Sequence, residues 1–182
     1  MGGARGSSQV LIILNATPLI YIAKVGLAKK ITLLPYRICT TDAVYDEVVV
    51  KGSASGAHEV AELRELFAMG KLHRINPKEH GIRNLEGSGI QHGEATIIAL
   101  ALERKAKAVI DDKRARHVAR VLGADLIGTP HVIAYLVAHG IVSRQEAMSK
   151  VDEMINEGWR CSAKHYSQIR EMLEHTSVTT TG

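Results

Sequence analysis

Residues Val10-Leu11-Ile12-Ile13-Leu14 form an unbroken apolar run of strand length, and no other feature limits the fold of the chain as much. A strand with one wet face alternates apolar and polar residues. One that is apolar throughout must be covered on both faces, as in a parallel sheet. Asn15 ends the run, and Thr17-Pro18 then opens an amphipathic stretch to Leu27. Proline in a first helical turn gives up no hydrogen bond, because its missing N–H would be unpaired there anyway. The order is strand, polar turn, helix.

The pattern repeats along the chain. Tyr36 to Thr40 reads as a short strand, and Thr41 or Asp42 can cap a helix reaching about Val50. A Gly/Ser loop from Gly52 to Gly56 precedes a helix from about Ala57 to Met69, which Gly70 ends. Leu72-His73-Arg74-Ile75 is the next strand, and residues 76–91 form the longest expected loop. Gly93 to Lys105 is strongly helical, with Ala95, Ile98, Ala99 and Leu102 on one face. Ala108-Val109-Ile110 is a buried strand, followed by Asp111-Asp112 and a basic helix from Arg114 to Leu122. Asp125-Leu126-Ile127 gives a last strand, and helices near 130–139, 143–157 and 163–175 follow. Alternating strands and helices predict an α/β fold, a short, mostly parallel sheet flanked by helices. The expected organisation is one domain over 10–175, with disordered tails at 1–9 and 176–182.

A hydrophobic share of 46% in 182 residues excludes disorder as the main state. No apolar run approaches the roughly 20 residues that cross a bilayer, and the opening Met1 to Ser8 is too polar for a signal-peptide core. A soluble, cytoplasmic protein with no membrane role is expected. Cys39 and Cys161 stand far apart and outside any CxxC spacing, which predicts free, reduced thiols. A formal charge of +4 mildly favours an acidic partner such as nucleic acid. A single Phe and a single Trp argue against recognition by base stacking.

In open α/β sheets the ligand site lies beyond the carboxyl ends of the strands. Asn15 follows the first strand and Asp111-Asp112 the fourth. Glu47 falls late in the helix after the second strand, and Glu94 in the first turn of the alanine-rich helix. Acids gathered at one sheet edge suit Mg²⁺ or Mn²⁺, which polarise a phosphoryl oxygen and help deprotonate water. Each residue alone also has a plainer reading. Glu94 can complement a helix dipole, Asp111-Asp112 can be N-caps, and Glu47 can be a solvated helix residue. The basic stretch Arg104, Lys105, Lys107, Lys113, Arg114, Arg116, Arg120 can hold RNA phosphates beside the acids or form an ordinary solvated helix face. Gly87-x-Gly89-x-x-His92 lacks the third glycine of a dinucleotide fingerprint, and no Walker loop is present. The nine histidines show no paired ligand spacing; His92, near Glu94, is the one to test.

Four segments in order resemble one family. Leu14-Asn15-Ala16-Thr17-Pro18-Leu19-Ile20 resembles the DTSPLI-type opening of PIN-domain proteins, in the archaeal and bacterial branch related to VapC toxins. Ala43-Val44-Tyr45-Asp46-Glu47-Val48-Val49 looks like the second motif of that branch, and His92-Gly93-Glu94-Ala95-Thr96-Ile97-Ile98-Ala99-Leu100-Ala101 is similar to its third, GEAxAIxLA. Val109-Ile110-Asp111-Asp112-Lys113-Arg114-Ala115-Arg116 matches the fourth, and Gly128-Thr129-Pro130-His131-Val132-Ile133 resembles a further family segment. The resemblance spans about residues 10–175. It implies a PIN-type three-layer sandwich and endonucleolytic hydrolysis of RNA with Mg²⁺ or Mn²⁺. It casts Glu47, Glu94 and Asp112 as metal-binding, catalytic acids, with Asp111 as the substitute if the fourth motif is read one residue earlier. Thr17, Lys113, Arg114 and Arg116 become candidate RNA contacts. An antitoxin partner and a homodimer built on the apolar helical faces between 130 and 157 are further implications.

At one position the chain departs from the family pattern. Asn15 stands where the resemblance places an aspartate that binds metal directly. An amide oxygen can ligate a cation but brings no negative charge, so the metal site and the activation of water should weaken. The chain is then either a weakened ribonuclease or a module that binds RNA or a partner without cutting.

Overall fold

The computed structural model describes residues 10–85 and 87–179. The expected tail at 1–9 and residues 180–182 lie outside them. Five strands, β1 (Leu11–Leu14), β2 (Arg37–Thr40), β3 (His73–Arg74), β4 (Lys107–Val109) and β5 (Asp125–Ile127), make one sheet. Their order is β3-β2-β1-β4-β5, and every pairing is parallel. β1 is central: Ile13 pairs with Cys39 on one side and Ala108 on the other, and Ile12 and Ile13 are fully buried. That position accounts for the unbroken apolar run.

Helices α1 (Ala16–Lys24), α2 (Ala28–Ile31), α3 (Asp42–Tyr45), α4 (His58–Ala68) and α5 (Glu79–Arg83) accompany the first three strands. Helices α6 (His92–Arg104), α7 (Lys113–Val121), α8 (Thr129–Ala138), α9 (Arg144–Asn156) and α10 (Ala163–His175) follow. Right-handed crossovers put the two halves of a doubly wound sheet under helices on opposite faces. In keeping with this, α1 packs with α4, and α6 packs with α7. The expected α/β sandwich around a parallel sheet is the architecture observed.

α6 is the main internal helix. Ala95 to Ala101 are all buried, because the helix packs on β1 and β4 and against α3, α5 and α7. A helix apolar on every side belongs in an interior. Its capping box, Gln91 with Glu94, satisfies two orphan N–H groups at its start.

Local departures from the sequence pattern have physical causes. α5 lies inside the expected loop 76–91. Five residues do not hold a helix alone in water, but α5 rests on α6, where a Cβ built on Gly81 would lie 3.4 Å from Ala99 Cβ. The helix expected from 42 to about 50 is α-helical only to Tyr45. It continues as a π-helical turn, Asp46–Lys51, and a 3₁₀ turn, Gly52–Ser55. The β-branched run Val48-Val49-Val50 crowds an α-helix, and Val48 and Val49 are buried in this geometry. The first helix stops at Lys24 rather than Leu27 because Gly26 turns the chain at φ +71°. Residues 176–179, expected as part of a frayed tail, carry bonds of their own. The Thr179 N–H donates to the Ala138 carbonyl at 2.6 Å, and Arg144 Nη2 to the Thr176 carbonyl at 2.8 Å. The apolar face of α8, with Val132, Ile133, Leu136 and Val137 buried, is spent on the chain's own core against α2, α9 and α10.

Lys105 closes α6 in the left-handed conformation, φ +50°, the one non-glycine residue at positive φ among the described residues. A side chain there costs about 1–2 kcal/mol, so Lys105→Gly is expected to raise stability by about 1 kcal/mol net of the entropy glycine adds to the unfolded chain. Denaturant unfolding checks it, and a lower midpoint would contradict the strain.

Candidate functional site

The buried polar residues of the described chain are Asn15, Thr40, Thr41, Thr96 and Thr129. All five lie at the carboxyl ends of strands or in the first turn of a helix leaving that end. The crevice there falls between β1 and β4, where the strand order reverses, the place an open α/β sheet offers a ligand. Hydrogen bonds knit its floor. Thr40 Oγ1 donates to the Leu14 carbonyl at 2.7 Å, joining the ends of β2 and β1. The Thr41 and Thr96 hydroxyls meet at 2.7 Å, and Thr96 Oγ1 reaches the Gly93 carbonyl at 2.7 Å. The first turn of α6 is thereby tied to the end of β2.

Asn15 follows β1 and is 5% exposed. Its N–H donates to the Val109 carbonyl of β4 at 3.1 Å, so its backbone is fixed between the two strands. Its amide does not cap α1 and has no hydrogen-bond partner among the described residues. Since no fully buried side-chain nitrogen or oxygen there lacks a partner, the amide must reach solvent at the crevice.

Glu94 in the first turn of α6 accepts from the Gln91 N–H at 2.9 Å. Its pKa is raised, first by burial, then by the negative charges of Asp112 and Glu47, against the lowering pull of the Gln91 N–H and of Arg114. Glu94 therefore lies within reach of the charges of both other expected acids. Glu47 belongs to the π-helical turn, an arrangement frequent at functional sites. A Cβ on Gly93 would stand 3.4 Å from Glu47 Oε2, so the first turn of α6 lies close to that carboxylate. Asp112 caps α7: its Oδ1 accepts from the Arg114 and Ala115 N–H groups, both at 2.9 Å, and its Oδ2 has no protein partner among the described residues.

Asp111 is differently placed. It accepts from the Thr129 N–H at 2.9 Å, from Thr129 Oγ1 at 2.6 Å and from Trp159 Nε1 at 2.9 Å. Both oxygens are spent on protein donors, and they brace the start of α8 and the turn after α9 to the end of β4. Of the pair left open by the sequence, Asp112 is the carboxylate with an oxygen to spare.

A family model described as a PIN domain matches residues 11–175. The chain belongs to the PIN-domain family. Comparison with curated proteins gave no match. PIN domains are generally nucleases and generally use divalent metal ions. An ion of that kind needs several oxygens around one point at roughly 2.0–2.6 Å. Among the described residues no group of three or more His, Cys, Asp or Glu is placed to hold one. In this PIN domain the carboxylates are gathered but not closed on a common point, and the amide of Asn15 adds no charge. As placed, they do not form a ready metal cage.

The cations divide as clearly as the acids. Arg116 Nη1 donates to the carbonyls of Ile110 at 2.6 Å and Ile127 at 3.0 Å, fastening the ends of β4 and β5, and burial lowers its pKa. Its sequence role as an RNA contact competes with this bracing. Thr17, Lys113 and Arg114 are exposed. His92, in the first turn of α6, is also exposed. Both cysteines are free, and burial pushes the Cys39 thiol up to about 12, which keeps it protonated. Sequence reasoning missed Thr96 and Trp159, since nothing local marks a threonine inside an alanine-rich helix or a tryptophan 48 residues from its partner.

Two outcomes are expected. Trp159→Phe keeps an aromatic ring, though a smaller one, and withdraws an N–H from Asp111, and should lower stability by about 2 kcal/mol or more in denaturant unfolding; an unchanged midpoint would show the bond to be idle. For Glu94 the folded pKa lies above the unfolded one, so folding favours the neutral acid. That stability is full below the unfolded pKa and lost as pH rises through the folded pKa. Glu94→Gln should therefore be the more stable protein at neutral pH in EDTA, with the gap closing below about pH 4. A gap that widens on acidification would reverse the sign.

Proposed function

We propose that this PIN domain is an endoribonuclease, weakened by Asn15, whose working acids are Glu47, Glu94 and Asp112. The observation that carries this reading is the placement of Asn15. It ends the central strand at the switch point, at the sheet edge where β4 also ends and Asp112 follows, and it offers an uncharged amide to the crevice. A carboxylate at that point would add the charge that a cation such as Mg²⁺ or Mn²⁺ needs. Asp112 has an unspent oxygen, and the Glu47 carboxylate has no hydrogen bond or ion pair among the described residues, so both stay available to a ligand or to the proton of an attacking water. Lys113 and Arg114, exposed in the first turn of α7, lie on the same end of the sheet, where a phosphate backbone would meet them.

The absence of a closed carboxylate cage favours a second reading, a PIN module that binds RNA without cutting it. One experiment separates the two. A labelled mixed-sequence RNA is incubated with this chain or its Asn15→Asp variant, in Mg²⁺ or Mn²⁺. The aspartate form is expected to cut at least about tenfold faster, to stop in EDTA, and to lose activity with Asp112→Ala. Equal rates for the two proteins would refute the role of Asn15, and no cutting by either would leave the binding module.

A further inference from the structure

Gly89 adopts φ +75°, and a Cβ built there would lie 1.7 Å from Arg114 Nη2 and 2.5 Å from its Cζ. The guanidinium rests on bare main chain, and a side chain at 89 would push it off this position. The Gly87-x-Gly89 segment, which completes no dinucleotide fingerprint, contains the seat of an arginine. Arg114 is exposed and makes no ion pair among the described residues. Its one side-chain hydrogen bond there runs from Nη2 to the Ser88 carbonyl at 3.4 Å. That is long for a charged donor, which closes to about 2.7–2.9 Å on a good acceptor. A guanidinium has five N–H donors, so nearly all of its bonding capacity is unspent. Arg116, two residues on, has instead committed its Nη1 to two carbonyls.

The contact with Gly89 also places this charge near the acids. Arg114 is near enough to Glu94 to oppose the effect of Asp112 and Glu47 on it. A polyanion approaching three carboxylates is repelled, and it can reach them only where a cation at the rim offsets that repulsion. A planar fork of donors suits the oxygens of a phosphate.

We propose that Arg114, seated on Gly89, grips a phosphodiester of single-stranded RNA at the mouth of the acid site, and that Gly89 sets where that phosphate lies. The identity of the polyanion rests on the ribonuclease reading. The grip itself is tested without cleavage, by fluorescence anisotropy of a labelled mixed-sequence single-stranded RNA with the full chain in EDTA. Arg114→Gln is expected to bind about tenfold more weakly at low salt and to flatten the slope of log affinity against log salt by about 0.7. Gly89→Ala should lose most of the same affinity, and should add nothing in the Arg114→Gln background.

The proposal is overturned if Arg114→Gln binds within about twofold of the parent with an unchanged slope. It is overturned equally if Gly89→Ala weakens binding alike with and without Arg114, or if the parent binds no RNA. Circular dichroism verifies that Gly89→Ala folds; should it not, the affinity and salt slope of Arg114→Gln, an exposed helical substitution, decide alone. RNA binding that depends on Arg114 in a chain whose Asn15→Asp form never cuts keeps the grip and removes only the nuclease reading. Cutting by that form, with binding indifferent to Arg114, does the reverse.

Discussion

Ile12 and Ile13 of β1 have no contact with water, because the strand lies in the middle of a parallel sheet with helices over both faces. A strand in that position has no room for a polar side chain, so polarity is forced to its ends. The first group that can meet solvent after β1 is Asn15, and the neighbouring strands end at the same level. The crevice therefore follows from burial at the centre of the sheet. The threonines that line its floor are buried yet satisfied, which is what allows polar groups to sit beside a core at all.

Much of this was legible in the chain itself. The apolar runs of β1 and β4 and the alanine-rich pattern of α6 announce buried elements whichever way they pack, and the residues that follow β1 and β4 must then share an edge. Family motifs gave the order of the acids. The sequence could not distinguish Asp111 from Asp112, because that depends on Thr129 and Trp159, which reach Asp111 only after the chain has passed through β5 and α9. Arg114 and Arg116 posed the same difficulty. They share a charge and a helix, but one braces two strand ends while the other lies on a glycine. Short helices such as α5 escaped notice for a related reason: their stability comes from a neighbour and not from their own residues.

The electrostatics of the crevice are poised. Glu94 is held partly out of water among like charges, and the nearby arginine offsets part of that cost. On the reading proposed above, a carboxylate at position 15 would add charge to the same edge of the sheet and bind a cation better, a trade between stability and function often met where charged groups are packed together.

The π-helical turn from Asp46 to Lys51 has a consequence for which of its side chains share a face. Bonding from i to i+5 takes more residues per turn than an α-helix does. Residues three and four apart, which lie together on an α-helix, are therefore rotated out of line across this segment. A helical wheel drawn at 3.6 residues per turn from Asp42 to Lys51 would set Asp46 and Glu47 in the wrong place relative to the buried Val44, Val48 and Val49. The direction in which each acid leaves this turn is a property of the fold and not of its spacing in the chain.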